Sequence, residues 1–311
     1  MEDILRYLFP FADINLKQSL LLVNKELSKL RFKDFIEDDI SNYIFKHKGY
    51  INIELYNILQ KTSNQFNIYY TLDDFYHIII YDKKLDTVNL TGCINLTSIT
   101  LVMCNLISIN LKGLINLQEL DLSQNKLRVL KIYSNKLQSL DLSFNQLKDL
   151  DLGEQLDLKY FCLSDNYFEH LDFTYLPNLE NLDLQNNSLY EITNLKGSYL
   201  KIINISNNEL YYLNCATFNE LKNLVITNNY IQTLDIQSKF ITHIYARRNE
   251  LFSINIENTI NLKHLMLESN NIEYFDIPKC HKLKYLNLFG NPMCEEELNR
   301  LYNELGEILK I

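Results

Sequence analysis

The chain has 311 residues, 47% hydrophobic and 22% charged, a globular mixture with ample apolar material for a core rather than a disordered one. Its net charge of -9, with Asp and Glu spread along the whole chain, argues against nucleic-acid binding, because phosphate backbones would be repelled overall. Near the start the longest apolar run, Leu20 to Val23, is far too short for a signal or a membrane span and is bounded by Lys17, Lys25 and Glu26, so a cytoplasmic protein with no membrane association is expected.

In chain order, residues 1–74 come first and show no internal repeat. From Met1 to Phe45 the apolar residues Ile4, Leu5, Leu8, Leu16, Leu20, Val23, Leu27 and Leu30 fall at helical spacing, which predicts a helical N-terminal region. The order Ile4, Leu5, Leu8, then Asp13 and Ile14, then Val23 and Lys25 resembles an F-box. That resemblance implies helices that dock on an Skp1-like adaptor of an SCF-type ubiquitin ligase, with Ile4, Leu5, Leu8 and Val23 at the contact. It departs from the family in lacking the Leu-Pro opening and in a longer spacing from Asp13 to Val23. A plain helical cap on the next domain is the alternative.

Residues 75–291 are periodic. Asparagine recurs at Asn125, Asn145, Asn166, Asn187, Asn208, Asn229, Asn249, Asn270 and Asn291, at intervals of 20 or 21 residues. Each closes the pattern L-x-x-L-x-L-x-x-N-x-L, as in Leu117, Leu120, Leu122, Asn125 and Leu127, or Leu179, Leu182, Leu184, Asn187 and Leu189. Stepping back by 21 places Cys104 and Lys83 at the Asn position, with Leu96, Ile99 and Leu101, then Phe75, Ile78 and Ile80, in the apolar slots. About eleven coils result. In L-x-L the two leucines share the inner face of a strand and the residue between them points out. One coil cannot bury that face alone, so coils must stack, and the Asn amide is suited to satisfying turn backbone.

The half of each coil after the Asn repeats the motif, as in Leu147, Leu150 and Leu152, in Phe168, Leu171 and Phe173, or in Ile231, Leu234 and Ile236. One half-unit carries its own Asn, Asn135. The pattern resembles the leucine-rich-repeat family, in its nested class of 20- to 21-residue units. This implies a slim solenoid, α+β by content and mostly β, with extended segments on both sides of the coil. An F-box followed by such repeats resembles F-box/leucine-rich-repeat proteins, in which the solenoid selects a target for ubiquitination. The Lys, Asn, Ile and Tyr bias, with 24 Lys against 6 Arg, suggests an AT-rich genome. Large DNA viruses of amoebae encode proteins of similar make-up, which would place the chain in a host cytoplasm.

Residues 292–311 depart from the repeat. After Asn-Pro-Met-Cys, the stretch Glu295 to Leu309 has Leu298, Leu301, Tyr302, Leu305, Ile308 and Leu309 at helical spacing and three glutamates in its first turn, which predicts a capping helix.

Catalytic motifs are absent: there is no G-x-S-x-G, P-loop, G-x-G-x-x-G or H-E-x-x-H, so neither enzyme activity nor a cofactor is expected. The six cysteines include no C-x-x-C pair and read as free thiols. His243 and His264 occupy the same position in consecutive coils but lack a convincing third ligand, so no metal is expected. The outward residues of the first strand, at the third, fifth and seventh positions of each coil, change along the array. Early coils show Glu119, Asp121, Ser123, Ser139, Asp141, Ser143 and Asp183. Late coils show His243, Tyr245, Arg247, His264, Met266, Glu268, Tyr285, Asn287 and Phe289, including residue types enriched at protein interfaces. These nine are the expected partner-binding patch, the alternative being Tyr-rich composition with Arg247 and Glu268 as a cross-coil ion pair. On the opposite side Asp149, Asp151, Asp172, Glu191, Asp235 and Asp276 read as a solvated face.

Overall fold

The computed structural model describes residues 50–51, 76–82, 84–85, 88, 90, 93–277 and 280–310. Residues Ile4, Leu5, Leu8, Asp13, Ile14, Val23 and Lys25 of the F-box resemblance lie outside the described residues, as do Phe75 and Lys83.

The strands run in chain order β1 (Tyr50–Ile51), β2 (His77–Tyr81), β3 (Ser98–Val102), β4 (Glu119–Asp121), β5 (Ser139–Asp141) and β6 (Tyr160–Cys162). They continue as β7 (His170–Asp172), β8 (Asn181–Asp183), β9 (Glu191–Thr193), β10 (Ile202–Asn204), β11 (Asn223–Val225) and β12 (Thr233–Asp235). The last are β13 (His243–Tyr245), β14 (Ser253–Asn255), β15 (His264–Met266), β16 (Tyr285–Asn287) and β17 (Leu309–Lys310), with α1 (Glu295–Leu305) between β16 and β17. Thirteen of them form one parallel sheet in the order β1-β2-β3-β4-β5-β6-β8-β10-β11-β13-β15-β16-β17. From β2 to β16 that is one strand per coil, eleven coils in all.

The inward leucines behave as the periodicity requires: Leu182, Leu184, Leu224 and Ile226 are buried, while Asp183 and Val225 between them are partly exposed. The second side of the coil is less regular. Among the described residues, β7 with β9, β12 with β14, and a bridge between Lys131 and Asp151 are the pairings there. Asn135 is exposed and does not act as a second repeat asparagine. Its neighbour Ser134 is the buried residue, its hydroxyl donating to the carbonyls of Leu117 and Ile115 at 2.7 and 3.2 Å.

The repeat asparagines join consecutive coils. Asn145 Oδ1 accepts from Leu127 N–H at 3.0 Å, one coil back, and its Nδ2 donates to Leu122 O at 2.9 Å in that coil and to Leu142 O at 3.0 Å in its own. The same bridge recurs at Asn166, Asn208, Asn229, Asn249 and Asn270. Buried backbone groups that the tight coil cannot pair internally are thereby satisfied.

The residue before each repeat position is left-handed in all eleven coils, from Asp82 (φ 48°) to Gly290 (φ 75°), and ten of the eleven are not glycine.

β1 lies beyond the Met1–Phe45 stretch expected to be helical, and pairs in parallel with β2 through Tyr50↔His77 and Ile51↔Ile78. The C-terminal end differs from the sequence expectation. The C-terminal helix stops at Leu305 rather than continuing to Leu309, because Gly306 turns the chain with a φ of 56°. This lets Leu309 and Lys310 add a strand to β16, with Leu288 N–H donating to Lys310 O at 2.9 Å. On the second side, Glu297 accepts from Phe275 N–H of the tenth coil at 3.0 Å and Arg300 donates to Phe275 O at 2.7 Å. Residues 295–310 therefore pair the open edge on each side, β16 of the eleventh coil on the first and Phe275 of the tenth on the second.

Candidate protein-binding face

The outward residues of the main sheet form columns fixed by strand register. At the fifth coil position the column runs Thr100, Asp121, Asp141, Cys162, Asp183, Asn204, Val225, Tyr245, Met266 and Asn287. The third-position column ends His243, His264, Tyr285.

At the early end, carboxylates stand one strand apart on a partly buried surface. Burial, then the charge of Asp141, raises the Asp121 carboxyl to about 6. Burial also raises Asp141 and Asp183, against hydrogen bonds that favour their charged forms: Asp141 Oδ1 accepts from Ser143 N–H and Oγ–H at 2.9 and 2.7 Å. Cys162 belongs to this same column, which the sequence reading of the cysteines did not single out. Burial and the flanking Asp141 and Asp183 push its thiol up to about 12, so it is a poor nucleophile. Cys162, Cys215, Cys280 and Cys294 are free thiols.

At the late end the ladder becomes aromatic. The His243 and His264 rings stack at 4.8 Å between centroids and 7° between planes, and His264 and Tyr285 follow at 6.2 Å and 25°. Tyr245 lies against His243 at 6.1 Å. Thr242 Oγ sits 2.8 Å from His243 Nδ1. Burial, then His264 and Lys263, hold His243 below the usual imidazole value, which favours the neutral ring in the stack.

All nine expected residues thus fall on three adjacent strands or just beyond them, in a grid of three rows. Their roles divide. Asn287 is engaged within the face: Nδ2 donates to Glu268 Oε1 at 2.7 Å and Oδ1 accepts from Phe289 N–H at 3.0 Å. Glu268 therefore faces Asn287, and the ion pair with Arg247 is not among those of the described residues, leaving Arg247 exposed. Phe289 is exposed as well. Among the described residues no group of three or more His, Cys, Asp or Glu is placed to hold a metal ion, and no helix is long and apolar enough to cross a membrane.

The Leucine Rich Repeat family matches residues 116–135 and 136–155. No curated protein matches the chain. Among solved structures, a leucine-rich-repeat protein of Leptospira interrogans is similar at 21% identity and a TM-score of 0.56, over 77% of this chain and 79% of that one. YopM from Yersinia enterocolitica is similar at 22% identity and a TM-score of 0.58, over 71% of this chain and 52% of its own. A chain of the Toll–Spatzle complex of Drosophila is similar at 20% identity and a TM-score of 0.56, over 71% of this chain and 36% of its own. The chain thus spans about half of YopM and about a third of the chain in that complex. The fold is that of leucine-rich-repeat proteins, typical of modules that bind other proteins.

Proposed function

We propose that the chain, a leucine-rich-repeat protein by sequence and fold, binds a protein partner through the late coils of its main sheet. The observation that carries this reading is the grid His243, His264, Tyr285 beside Tyr245, Met266, Asn287, flanked by exposed Arg247 and Phe289. Stacked rings are already ordered, so a partner that covers them loses little side-chain entropy, while the tyrosines and Met266 supply apolar contact and Arg247 directional hydrogen bonding. That a chain of similar fold occurs in the Toll–Spatzle complex agrees with it. Replacing Tyr245 and Tyr285 together by Ala removes contact area without touching the core, and should weaken binding of a partner recovered by the parent by about 2 kcal/mol or more. Equal recovery by parent and double variant, at equal melting temperature, refutes this placement.

The finer reading, a substrate-recognition adaptor of an SCF-type ubiquitin ligase, rests on the F-box resemblance of Ile4, Leu5, Leu8 and Val23. It requires that an Skp1-like adaptor co-purify with the chain and that Leu5→Asp abolish the association. If no such adaptor binds, a stand-alone binding protein is left.

A further inference from the structure

The turn after each repeat asparagine carries a second pattern, away from the strand face. Six consecutive coils each place an exposed aromatic ring one, three or four residues beyond their Asn: Tyr167, Tyr190, Tyr211, Tyr230, Phe252 and Tyr274. At one pair of coils the offsets meet in space, because the first residue after Asn229 lies beside the second after Asn208. Tyr230 N–H donates to Leu210 O at 2.9 Å, and the Tyr211 and Tyr230 rings stack at 5.2 Å and 26°. The third residues pair in register instead, Tyr190 N–H donating to Glu169 O and Phe252 N–H to Gln232 O, both at 3.0 Å. The six turns line one edge of the solenoid, about 24 Å long at strand spacing, and each sets one exposed ring on it. Tyr190 and Tyr211 remain 51% and 58% exposed there.

Charge on this edge is one-sided. The same three turn positions of these six coils hold Glu169, Glu191, Glu209, Glu250 and Glu273, and neither Lys nor Arg. An acidic or neutral partner covering the rings would bury these carboxylates without compensation. A cation suits both features at once, since ring faces and carboxylates attract it and the aliphatic stems of Lys and Arg can lie along the apolar rings. The last ring of the edge already takes such a group. The guanidinium carbon of Arg300, from α1, sits 4.8 Å from the centre of the Tyr274 ring.

We propose that this tyrosine–glutamate edge is a docking surface for a Lys/Arg-rich polypeptide segment of a partner, about seven residues long if extended. It is distinct from the strand face and does not depend on that reading. The test is fluorescence anisotropy of the full-length chain with a labelled peptide of about eight alternating Lys and Arg residues, a length that spans the edge. Tyr190→Ala with Tyr211→Ala and Tyr230→Ala should weaken binding about tenfold or more with an unchanged melting temperature. Glu191→Gln with Glu209→Gln should weaken it several-fold, whereas Glu154→Gln with Asp157→Asn, an equal loss of charge on another exposed turn, should leave it within about twofold. Binding by the tyrosine variant equal to the parent overturns the proposal. So does an equal loss from both acidic pairs, which would reduce the effect to net charge, or a loss from Tyr245→Ala with Tyr285→Ala, which would move the peptide to the strand face.

Discussion

The asparagine ladder makes a prediction about cooperativity that single substitutions cannot reveal. Asn208 accepts from Leu189 N–H at 3.0 Å and donates to Leu184 O and Ile205 O at 3.0 and 3.1 Å. Each of those carbonyls has a second donor, since Asn187 also reaches Leu184 O at 3.1 Å and Asn229 also reaches Ile205 O at 2.9 Å. Asn208→Ala therefore orphans one buried group outright, the Leu189 N–H, at about 1–3 kcal/mol, and thins the supply to three carbonyls, the third being Ser206 O at 3.2 Å. Asn229→Ala likewise orphans Leu210 N–H, which donates to Asn229 at 3.1 Å. Made together, the two substitutions also strip Ile205 O of both donors, so the pair should cost about 1–3 kcal/mol more than the sum of the singles. Asn145→Ala with Asn229→Ala shares no carbonyl and should be additive. Urea unfolding followed by circular dichroism measures the totals, and amide exchange at Leu189 and Leu210 measures the local opening that a long repeat array can show without unfolding completely. Additivity of the adjacent pair to within about 0.5 kcal/mol would refute the reasoning.

Two further predictions concern packing and pH. A Cβ at Gly197 would lie 2.3 Å from Phe218 Cδ1 and 2.7 Å from Leu200 Cδ1, so Gly197→Ala should destabilise by about 1–3 kcal/mol. Phe218→Leu should relieve part of that loss in the double variant, and strictly additive unfolding energies would show that the clash is not the cause. Asp121 titrates near 6 when folded, above its ordinary 3.8, so the native state holds a proton that the unfolded chain releases. Its contribution favours folding below about pH 4 and is lost as pH rises through about 6. Asp121→Asn keeps an oxygen for the Ser123 N–H bond of 3.0 Å and should raise the melting temperature at pH 7 but not at pH 4; no difference between the two pH values counts against the shift.

What could be read in advance follows from what repeats. A period of 20 or 21 residues fixes register, so the alignment of His243 with His264 and Tyr285 follows once the asparagines are aligned. Burial of Leu182 and Leu184 around Asp183 follows from strand alternation in the same way. The left-handed residue before each Asn was legible only in part: Asp82, Asp165, Asn186, Asn207, Asn228 and Gly290 are of types that enter that region readily, whereas Gln124, Phe144 and Arg248 are not. It is imposed from outside the residue: Phe144 N–H donates to Ser164 O and Arg248 N–H to Glu268 O, at 2.9 and 2.8 Å, each in the next coil. Strain of about 1 kcal/mol per residue is offset by a bond that exists only when the coils are stacked. Where the position is Asn, the side chain contributes as well, Asn207 donating to Asn186 Oδ1 at 2.6 Å along the edge.

The aromatic edge escaped notice for a related reason. Its rings stand at three different offsets from the Asn, so no single column of the repeat displays them. They share an edge because the turns of neighbouring coils are hydrogen-bonded side by side, and Tyr211 stacks on Tyr230 there. The C-terminal pairing was hidden likewise, because Glu297 and Arg300 have no counterpart in the repeat. Their bonds to Phe275 are determined by where the last coil ends, and i, i+3 spacing on a short helix would by itself suggest no more than a surface ion pair. Glu297 is buried and Arg300 bonds it through two nitrogens at 2.7 and 2.8 Å while donating to the Phe275 carbonyl. That geometry makes this pair the substitute for the second side of the eleventh coil, as β17 stands in for a twelfth strand on the first.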